Sequence, residues 1–191
     1  MNVFDFDKTI YPRDSTAGFY FFTLARRPGV FLEVPATAWY FLLYKLGKRT
    51  KTQFKEVMYR FLRHTGGTEQ LVERYWDKNQ KNINRWYLDI RRDDDIIISA
   101  SPEFLLRPIC ARLGVRLIAS RVDPATGKYD GENCWGPEKV TRLNEIYPDC
   151  HIDEFYSDSY SDSPLAELAD RAYLVKGQRL LPFYPDDKKG N

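Results

Sequence analysis

The sequence predicts an α/β fold, a Rossmann-like doubly wound parallel sheet with an all-helical cap inserted after the first strand. Two observations support this prediction. In the second half of the chain, short apolar runs alternate with helical segments, as in parallel sheets whose strands are joined by helices. Residues 15–92 instead show long stretches of helical spacing with almost no strand signal. We assign residues 1–14 and 93–191 to the α/β core and residues 15–92 to the helical cap.

The first strand is predicted at the apolar start of the chain, before Asp5 and Asp7. The second strand is predicted at the β-branched run of residues 96–99, which is typical of a strand buried on both faces. A proline at a first-turn position and Gly114 as a stop then bound the helix that follows. The predicted elements after the cap are a strand at 96–99, a helix at 102–113, a strand at 115–119, a hairpin at 123–131, a helix at 137–147, a strand near 155–156, a helix at 164–169 and a strand at 172–175.

The pair Asp5 and Asp7 is the strongest functional signal in the chain. In a strand, side chains two residues apart share one face, so the two carboxylates point the same way while Phe4 and Phe6 point into the core. Two adjacent carboxylates repel unless a cation lies between them or one is protonated. Either arrangement suits catalysis, since one carboxylate attacks while the other transfers protons. Taken alone, the pair also fits a strand end that begins a turn.

Four polar residues fall at predicted strand ends: Asp5, Asp7, Ser99 and Asp158. In open parallel sheets, ligands bind at the carboxyl ends of the strands. The sequence therefore predicts that these side chains converge on one edge of the sheet.

Composition excludes several classes of protein. The 191 residues are 43% hydrophobic, enough for a sizeable core. Three cysteines without close spacing indicate neither a disulfide framework nor a zinc site, and two histidines leave little material for a histidine-based centre. The start of the chain does not resemble an export leader, so we expect a cytoplasmic protein. The most apolar segment, residues 34–44, is shorter than the ~20 residues of a spanning helix.

Charge differs between the two predicted parts. The cap holds 15 Lys and Arg against 6 Asp and Glu, and the rest of the chain holds 14 against 21. A basic cap facing an acidic edge would draw anionic substrates toward a metal. Its charges are scattered among apolar helices without a nucleic-acid motif, so we expect no nucleic-acid binding.

The chain resembles the haloacid dehalogenase superfamily of phosphohydrolases, in particular its subfamily IB, the branch that includes phosphoserine phosphatases. Each motif alone is weak, but four occur in the family's order over about 160 residues. They are Phe-Asp-Phe-Asp-Lys-Thr at 4–9, Ile-Ile-Ile-Ser-Ala-Ser at 96–101, Gly-Pro-Glu-Lys at 136–139 and Asp-Ser-Tyr-Ser-Asp at 158–162.

The resemblance implies a Mg²⁺-dependent phosphatase with an aspartyl-phosphate intermediate. Asp5 would attack phosphorus and Asp7 would act as acid and then base. The Ser99 hydroxyl, the Ala100 amide and Lys139 would hold the phosphate. The implied metal ligands are Asp5, the carbonyl of Asp7, Asp158 and, close by or through water, Asp162.

Substrate identity stays open. By resemblance, Asp14 occupies the offset of the residue that recognises the amine of phosphoserine, and Arg60 lies beside the position of a carboxylate-binding arginine. These are the tentative cap contacts for a small phosphorylated metabolite. The apolar run at 34–44, flanked by basic residues, favours a second hypothesis, a lipid-phosphate phosphatase in peripheral contact with an anionic membrane. A third is a phosphate-binding protein without catalysis.

Overall fold

The computed structural model describes residues 1–184. Six strands form one sheet in the order β3-β2-β1-β4-β5-β6, and every neighbouring pair is parallel except β5 and β6. The predicted α/β fold with a helical insertion after the first strand is confirmed. The strands are β1 (Asn2–Phe4), β2 (Ile96–Pro102), β3 (Arg116–Ser120), β4 (Ile152–Ser157), β5 (Ala169–Lys176) and β6 (Arg179–Pro182).

Five helices lie between β1 and β2, and three more connect the later strands. The helices are α1 (Ser15–Leu24), α2 (Val34–Lys45), α3 (Lys51–Met58), α4 (Thr68–Asn79), α5 (Arg85–Ile90), α6 (Glu103–Leu113), α7 (Pro137–Ile146) and α8 (Ser163–Ala166). Short 3₁₀ segments cover Pro28–Glu33, Tyr59–His64, Gln80–Asn82 and Tyr160–Asp162. No helix among the described residues has both the length and the apolar character needed to cross a bilayer.

Strand β1 is the centre of the sheet and the point where the strand order reverses. Val3 pairs with Ile96 of β2 on one side and with Phe155 of β4 on the other. The chain builds β2 and β3 outward on the first side and then crosses to β4. Such a switch point leaves a crevice beyond the carboxyl ends of the central strands. The loops after β1, β2 and β4 all open into it.

Buried aromatic side chains hold the end of β1 and the loop that follows it in place. Phe4 stacks on Tyr156 at 4.7 Å between ring centroids, and Phe6 meets Trp76 edge to face at 5.6 Å. The Trp76 indole N–H donates to the Leu105 carbonyl at 2.6 Å. Helix α4 of the insertion thereby rests on both the loop and α6. The assignment of 15–92 as a separate cap stays a prediction, and residues 185–191 of the predicted core lie outside the described residues.

Three local predictions differ from the structure. Strand β2 runs on to Pro102, where the following helix was expected to begin. Helix α8 ends at Ala166, and Ala169 begins β5 instead of ending that helix. Strand β6 was not predicted. Its four residues are all exposed, so its sequence lacks the alternation of buried and exposed positions that would reveal a strand.

Candidate active site

Asp5 and Asp7 stand immediately beyond β1, at the crevice where the strand order reverses. Phe4 and Phe6 are fully buried, as the alternation predicts. Both carboxylates line a cavity of about 210 Å³, which we call the catalytic cavity. The same cavity is lined by the other residues predicted at this edge, and these are Asp14, Ser99, Ala100, Lys139, Asp158 and Asp162. The structure thus brings together every predicted site residue except Arg60.

Lys139 is a buried cation in the wall of the catalytic cavity. It lies in the first turn of α7, after Gly136, whose positive φ of 58° favours glycine. The side chain is 2% exposed, and its Nζ donates to Asp5 Oδ1 at 2.7 Å and to Asp162 Oδ2 at 2.8 Å. Asp162 Oδ2 also accepts a hydrogen bond from Ser157 at 2.7 Å. One buried lysine therefore holds two carboxylates from different motifs.

Asp7 is held by the start of the insertion and by the end of β2. Its Oδ1 accepts from the Ser15 backbone N–H at 2.7 Å, and its Oδ2 accepts from the Ser101 hydroxyl. Ser101 also shares a hydrogen bond of 2.8 Å with the Thr16 hydroxyl. The sequence analysis did not single out Ser101, although it ends the predicted second motif. Its contacts show that the motif supplies a partner for Asp7 as well as a candidate phosphate-binding turn.

Thr9 connects three parts of the site without lining the cavity. Its hydroxyl donates to Asp5 Oδ2 at 3.2 Å and accepts from the Asp158 backbone N–H at 3.0 Å. Its carbonyl accepts from the Asn84 side chain at 2.7 Å. Thr9 is fully buried, so these contacts hold the first loop in place. Lys8, one residue earlier, has a positive φ of 60°, which is unusual outside glycine and marks the tight turn of this loop.

Burial raises the pKa of both Asp5 and Asp7. The pKa of Asp5 is raised to about 7, with Lys139 opposing the effect of burial and Asp162 adding to it. The pKa of Asp7 is raised to about 6 by burial and by the charge of Asp14, against the hydrogen bonds from Ser101 and Ser15. A carboxyl that titrates near neutral pH can both give and take a proton, as an acid-base group must.

The donor set at this edge suits Mg²⁺. Asp5, Asp158, Asp162 and the carbonyl of Asp7 all offer oxygen, the ligand that hard divalent cations prefer. Asp162 Oδ1 is buried and finds no hydrogen-bond partner within residues 1–184. Burial raises the pKa of Asp158, so a nearby cation would favour its ionised form. Crowded, desolvated carboxylates with a spare oxygen are what a cation would stabilise.

These carboxylates are not gathered as tightly as a second group at the opposite edge. The ligand atoms of His151, Asp153 and Asp170 lie within 4.8 Å of one another near the starts of β4 and β5. That group is solvent-exposed and already paired, with His151 at 2.9 Å from Asp170. At the catalytic edge, Lys139 takes up the facing oxygens instead.

The insertion supplies a lysine where the sequence suggested an arginine. Arg60 is exposed on the 3₁₀ segment after α3 and does not line the catalytic cavity. Lys55 of α3 does line it, and its Nζ donates to the Ala100 carbonyl at 2.9 Å. Asp14 also lines the cavity, although one of its oxygens caps α1 by accepting from the Ala17 N–H at 2.8 Å. Lys51 and Lys55, four residues apart on α3, share one face, and that spacing could have indicated them.

Comparisons with known proteins agree with this geometry. A family model described as haloacid dehalogenase-like hydrolase matches residues 3–167. Protein CicA of Caulobacter vibrioides is 34% identical over 97 residues, which cover 47% of this chain and 42% of that protein. The match therefore spans less than half the length of that relative.

Two solved structures share the fold. A Bordetella pertussis protein of unknown function superimposes with a TM-score of 0.72 at 24% identity, over 90% of this chain and 87% of its own. A phosphoserine phosphatase carrying a phospho-aspartyl intermediate analogue superimposes with a TM-score of 0.59 at 19% identity, over 89% of this chain and 83% of its own. At these identities the likeness establishes the fold.

Proposed function

The chain belongs to the haloacid dehalogenase-like hydrolase family, and from that premise we propose that it is a Mg²⁺-dependent phosphatase acting through an aspartyl-phosphate intermediate. One observation carries the proposal: Asp5 is buried at the switch point of the sheet, bonded to Lys139 and Thr9, with Asp7 beside it in the same cavity. A carboxylate fixed in this way is a nucleophile whose neighbour is free to move protons.

In the first step, a carboxylate oxygen of Asp5 attacks phosphorus and the ester P–O bond breaks. Asp7, whose pKa burial raises to about 6, gives its proton to the leaving alkoxide. In the second step, Asp7 takes a proton from water, whose oxygen attacks the same phosphorus. The P–O bond to Asp5 breaks, phosphate leaves, Asp5 is again a carboxylate and Asp7 again carries its proton.

We expect Ser99, the Ala100 amide and Lys139 to hold the phosphate oxygens during both steps, since all three line the same cavity as Asp5. Lys139 is already charged and buried, so its charge costs little reorganisation when the negative charge on the phosphate shifts. Bound Mg²⁺, held by Asp5, the Asp7 carbonyl and Asp158 with Asp162 close by, would neutralise phosphate charge. Ser101 and Ser15 orient Asp7 toward its proton-transfer role.

We propose a phosphomonoester as the substrate, since the catalytic cavity of about 210 Å³ is large enough for the phosphate and the atoms next to it, and the rest of the alcohol must lie outside this cavity. The neighbour with the phospho-aspartyl analogue, a phosphoserine phosphatase, supports the same reaction class. The case for phosphoserine is weaker, because Arg60, which was expected beside the carboxylate-binding position, lies away from the cavity. We expect a reducing, cytoplasmic location, in keeping with three free cysteines of which Cys110 and Cys134 are buried.

The test is phosphate release from a panel of phosphomonoesters with Mg²⁺ and with EDTA. Wild type should release phosphate only with Mg²⁺, and Asp158→Asn should need much more Mg²⁺. Asp149→Asn, at an exposed position after α7, is the matched control and should behave as wild type. In methanol and water mixtures, a constant ratio of methyl phosphate to phosphate across different leaving groups would support a shared covalent intermediate. Binding of phosphate without release from any ester would favour the non-catalytic alternative.

A further inference from the structure

A second cavity, of about 450 Å³, lies between α1, α2 and α3. We call it the apolar chamber. Its walls are six large side chains from the three helices, namely Tyr20, Phe21, Phe41, Tyr44, Phe54 and Met58. Phe54 packs against Phe41 at 5.4 Å and stacks on Tyr44 at 6.0 Å between ring centroids, so α2 and α3 form a continuous aromatic wall.

The apolar chamber adjoins the catalytic cavity. Asp14, Lys51 and Lys55 line both. A molecule whose phosphate lies at Asp5 and whose other end passes these three residues therefore enters the chamber. Because this molecule is the substrate, the chamber is placed to receive the alcohol portion of the ester.

The outer wall of the chamber is poorly covered. Every side chain of α2 is exposed or half-buried, and the large side chains Phe41 and Phe21 are 45% and 65% exposed. Apolar surface left in water near a cavity is typical of a ligand groove. An apolar occupant would remove this surface from water on the chamber side.

The junction between the two cavities carries two lysines, whereas the walls of the chamber are mostly apolar. Lys55, bonded to the Ala100 carbonyl, and Lys51 one turn earlier bring two ammonium groups to the junction. Asp14, the acid at the same junction, has an oxygen engaged at the start of α1. A ligand that matches both sides has an anionic head and an apolar body, whereas a small polar metabolite would leave the aromatic wall uncovered.

We propose that the apolar chamber binds the alcohol portion of the substrate, so that the protein prefers phosphomonoesters of apolar alcohols. The inference rests on the proposed function and deepens it by naming the substrate class. The head is a phosphate monoester, and the body is an alkyl or aryl group, whether the molecule comes from solution or from a bilayer.

The test is a series of n-alkyl phosphates from ethyl to octyl, each below its aggregation concentration, with kcat/KM measured in Mg²⁺. A fully buried methylene is worth roughly a fourfold gain, so even partial burial should raise kcat/KM at least about tenfold from ethyl to octyl phosphate. Ala38→Trp, which places a large ring in the chamber lining, should reduce the octyl-to-ethyl ratio toward one. Trp39→Ser, at a neighbouring side chain that is 58% exposed and outside the lining, should preserve the ratio.

Three results would overturn the inference. Hydrolysis of ethyl phosphate with a flat chain-length profile would refute the chamber and leave the proposed function intact. A gain seen only in phosphatidylcholine vesicles and lost in Trp39→Ser would assign the preference to the outer surface of α2. If no ester is hydrolysed, the proposed function fails, and calorimetry decides the chamber alone: Asp5→Asn protein should bind octylphosphonate at least about tenfold more tightly than ethylphosphonate. Equal binding refutes the chamber as well.

Discussion

The catalytic cavity and the apolar chamber share three residues but are stabilised in opposite ways. In the catalytic cavity, Asp5, Lys139 and Asp162 are at most 7% exposed and joined by hydrogen bonds from several elements. In the chamber, the outer wall is a helix whose side chains all retain contact with water. The difference indicates that the catalytic cavity is ordered by its own hydrogen bonds, whereas the outer wall of the chamber is left partly open to water.

Asp5→Asn tests the first half of this comparison and has the largest expected effect. The amide keeps the shape of the carboxylate but cannot attack phosphorus, so kcat should fall by about ten-thousandfold or more, as for other nucleophile replacements. Phosphate release measured by a coupled assay checks the result, with freshly purified protein because slow deamidation would restore the acid.

The same variant should remain folded. Burial raises the pKa of Asp5, and Lys139 keeps Asp162 as its partner when Asp5 becomes a neutral amide, so no buried charge is left unpaired. An unchanged melting temperature together with lost turnover is the expected pair of results. Turnover within tenfold of wild type would remove Asp5 from the role of nucleophile.

Lys139→Met tests whether the catalytic cavity is held by its buried ion pairs. Removing the lysine leaves Asp5 and Asp162 desolvated without a cation, and breaking a buried pair in this way costs about 3 kcal/mol or more of the free energy of unfolding. Urea denaturation in EDTA measures the loss, and added Mg²⁺ should restore part of it.

A double-mutant cycle gives the control for that loss. Asp162→Asn alone leaves Lys139 with one partner, and in the Lys139→Met background the same change should cost less or even stabilise, because it removes an unpaired buried charge. Strictly additive losses would show that the lysine acts through packing and not through its charge.

The sequence predicts the catalytic cavity better than the chamber, for a physical reason. Asp5 and Asp158 directly follow strands and Ser99 lies in the last part of β2, and the carboxyl ends of parallel strands meet at one edge whatever the details of packing. The α/β fold with its helical insertion after the first strand is confirmed as well, because it follows from the order of strands and helices along the chain. The roles of these residues in catalysis stay a prediction until the variants are measured.

The cap contacts depend instead on how helices pack, which spacing alone does not determine. Arg60 was expected near the substrate but is exposed on a 3₁₀ turn, and Lys55, five residues earlier, points into the cavity. Strand β6 was missed for a related reason, since its residues are held by pairing with β5 and not by burial. Tertiary contacts, not local pattern, decide these positions.

Gly127→Ala tests how firmly the insertion rests on the core. Gly127 lies in the hairpin after β3 with a φ of +74°, and a Cβ there would come within 2.5 Å of the Tyr59 carbonyl oxygen. Gly177→Ala is the matched control, because its φ of +66° is similar but the space around it is open. The control should lose about 1 kcal/mol of the free energy of unfolding from backbone strain alone.

Gly127→Ala should lose a further 2 kcal/mol or so, because the methyl group forces the hairpin away from the 3₁₀ segment that follows α3. Thermal and urea denaturation of both variants measure the difference. Equal losses would mean that the hairpin moves away from Tyr59 without cost, so that this contact does little to hold the insertion against the core.

Lys55 lies between the two cavities, and its titration gives the smallest predicted effect. Burial, with a contribution from Lys51, lowers the pKa of Lys55 to about 8, while Asp14, Asp7 and Asp5 act in the opposite direction. Below pH 8 the ammonium group is charged and attracts the anionic substrate, and above it the attraction is lost. The ratio of kcat/KM between wild type and Lys55→Met should therefore be roughly tenfold at pH 6.5 and approach one above pH 9.

Taking the ratio cancels the titration of the substrate, which wild type and variant share. Arg60→Met is the control, since this exposed side chain lies off the cavity and its ratio should stay near one at every pH. A constant tenfold deficit in Lys55→Met across the whole range would show that Lys55 acts by holding the Ala100 carbonyl and not by its charge. The junction would then belong with the rigid catalytic cavity, and substrate choice would depend on the chamber alone.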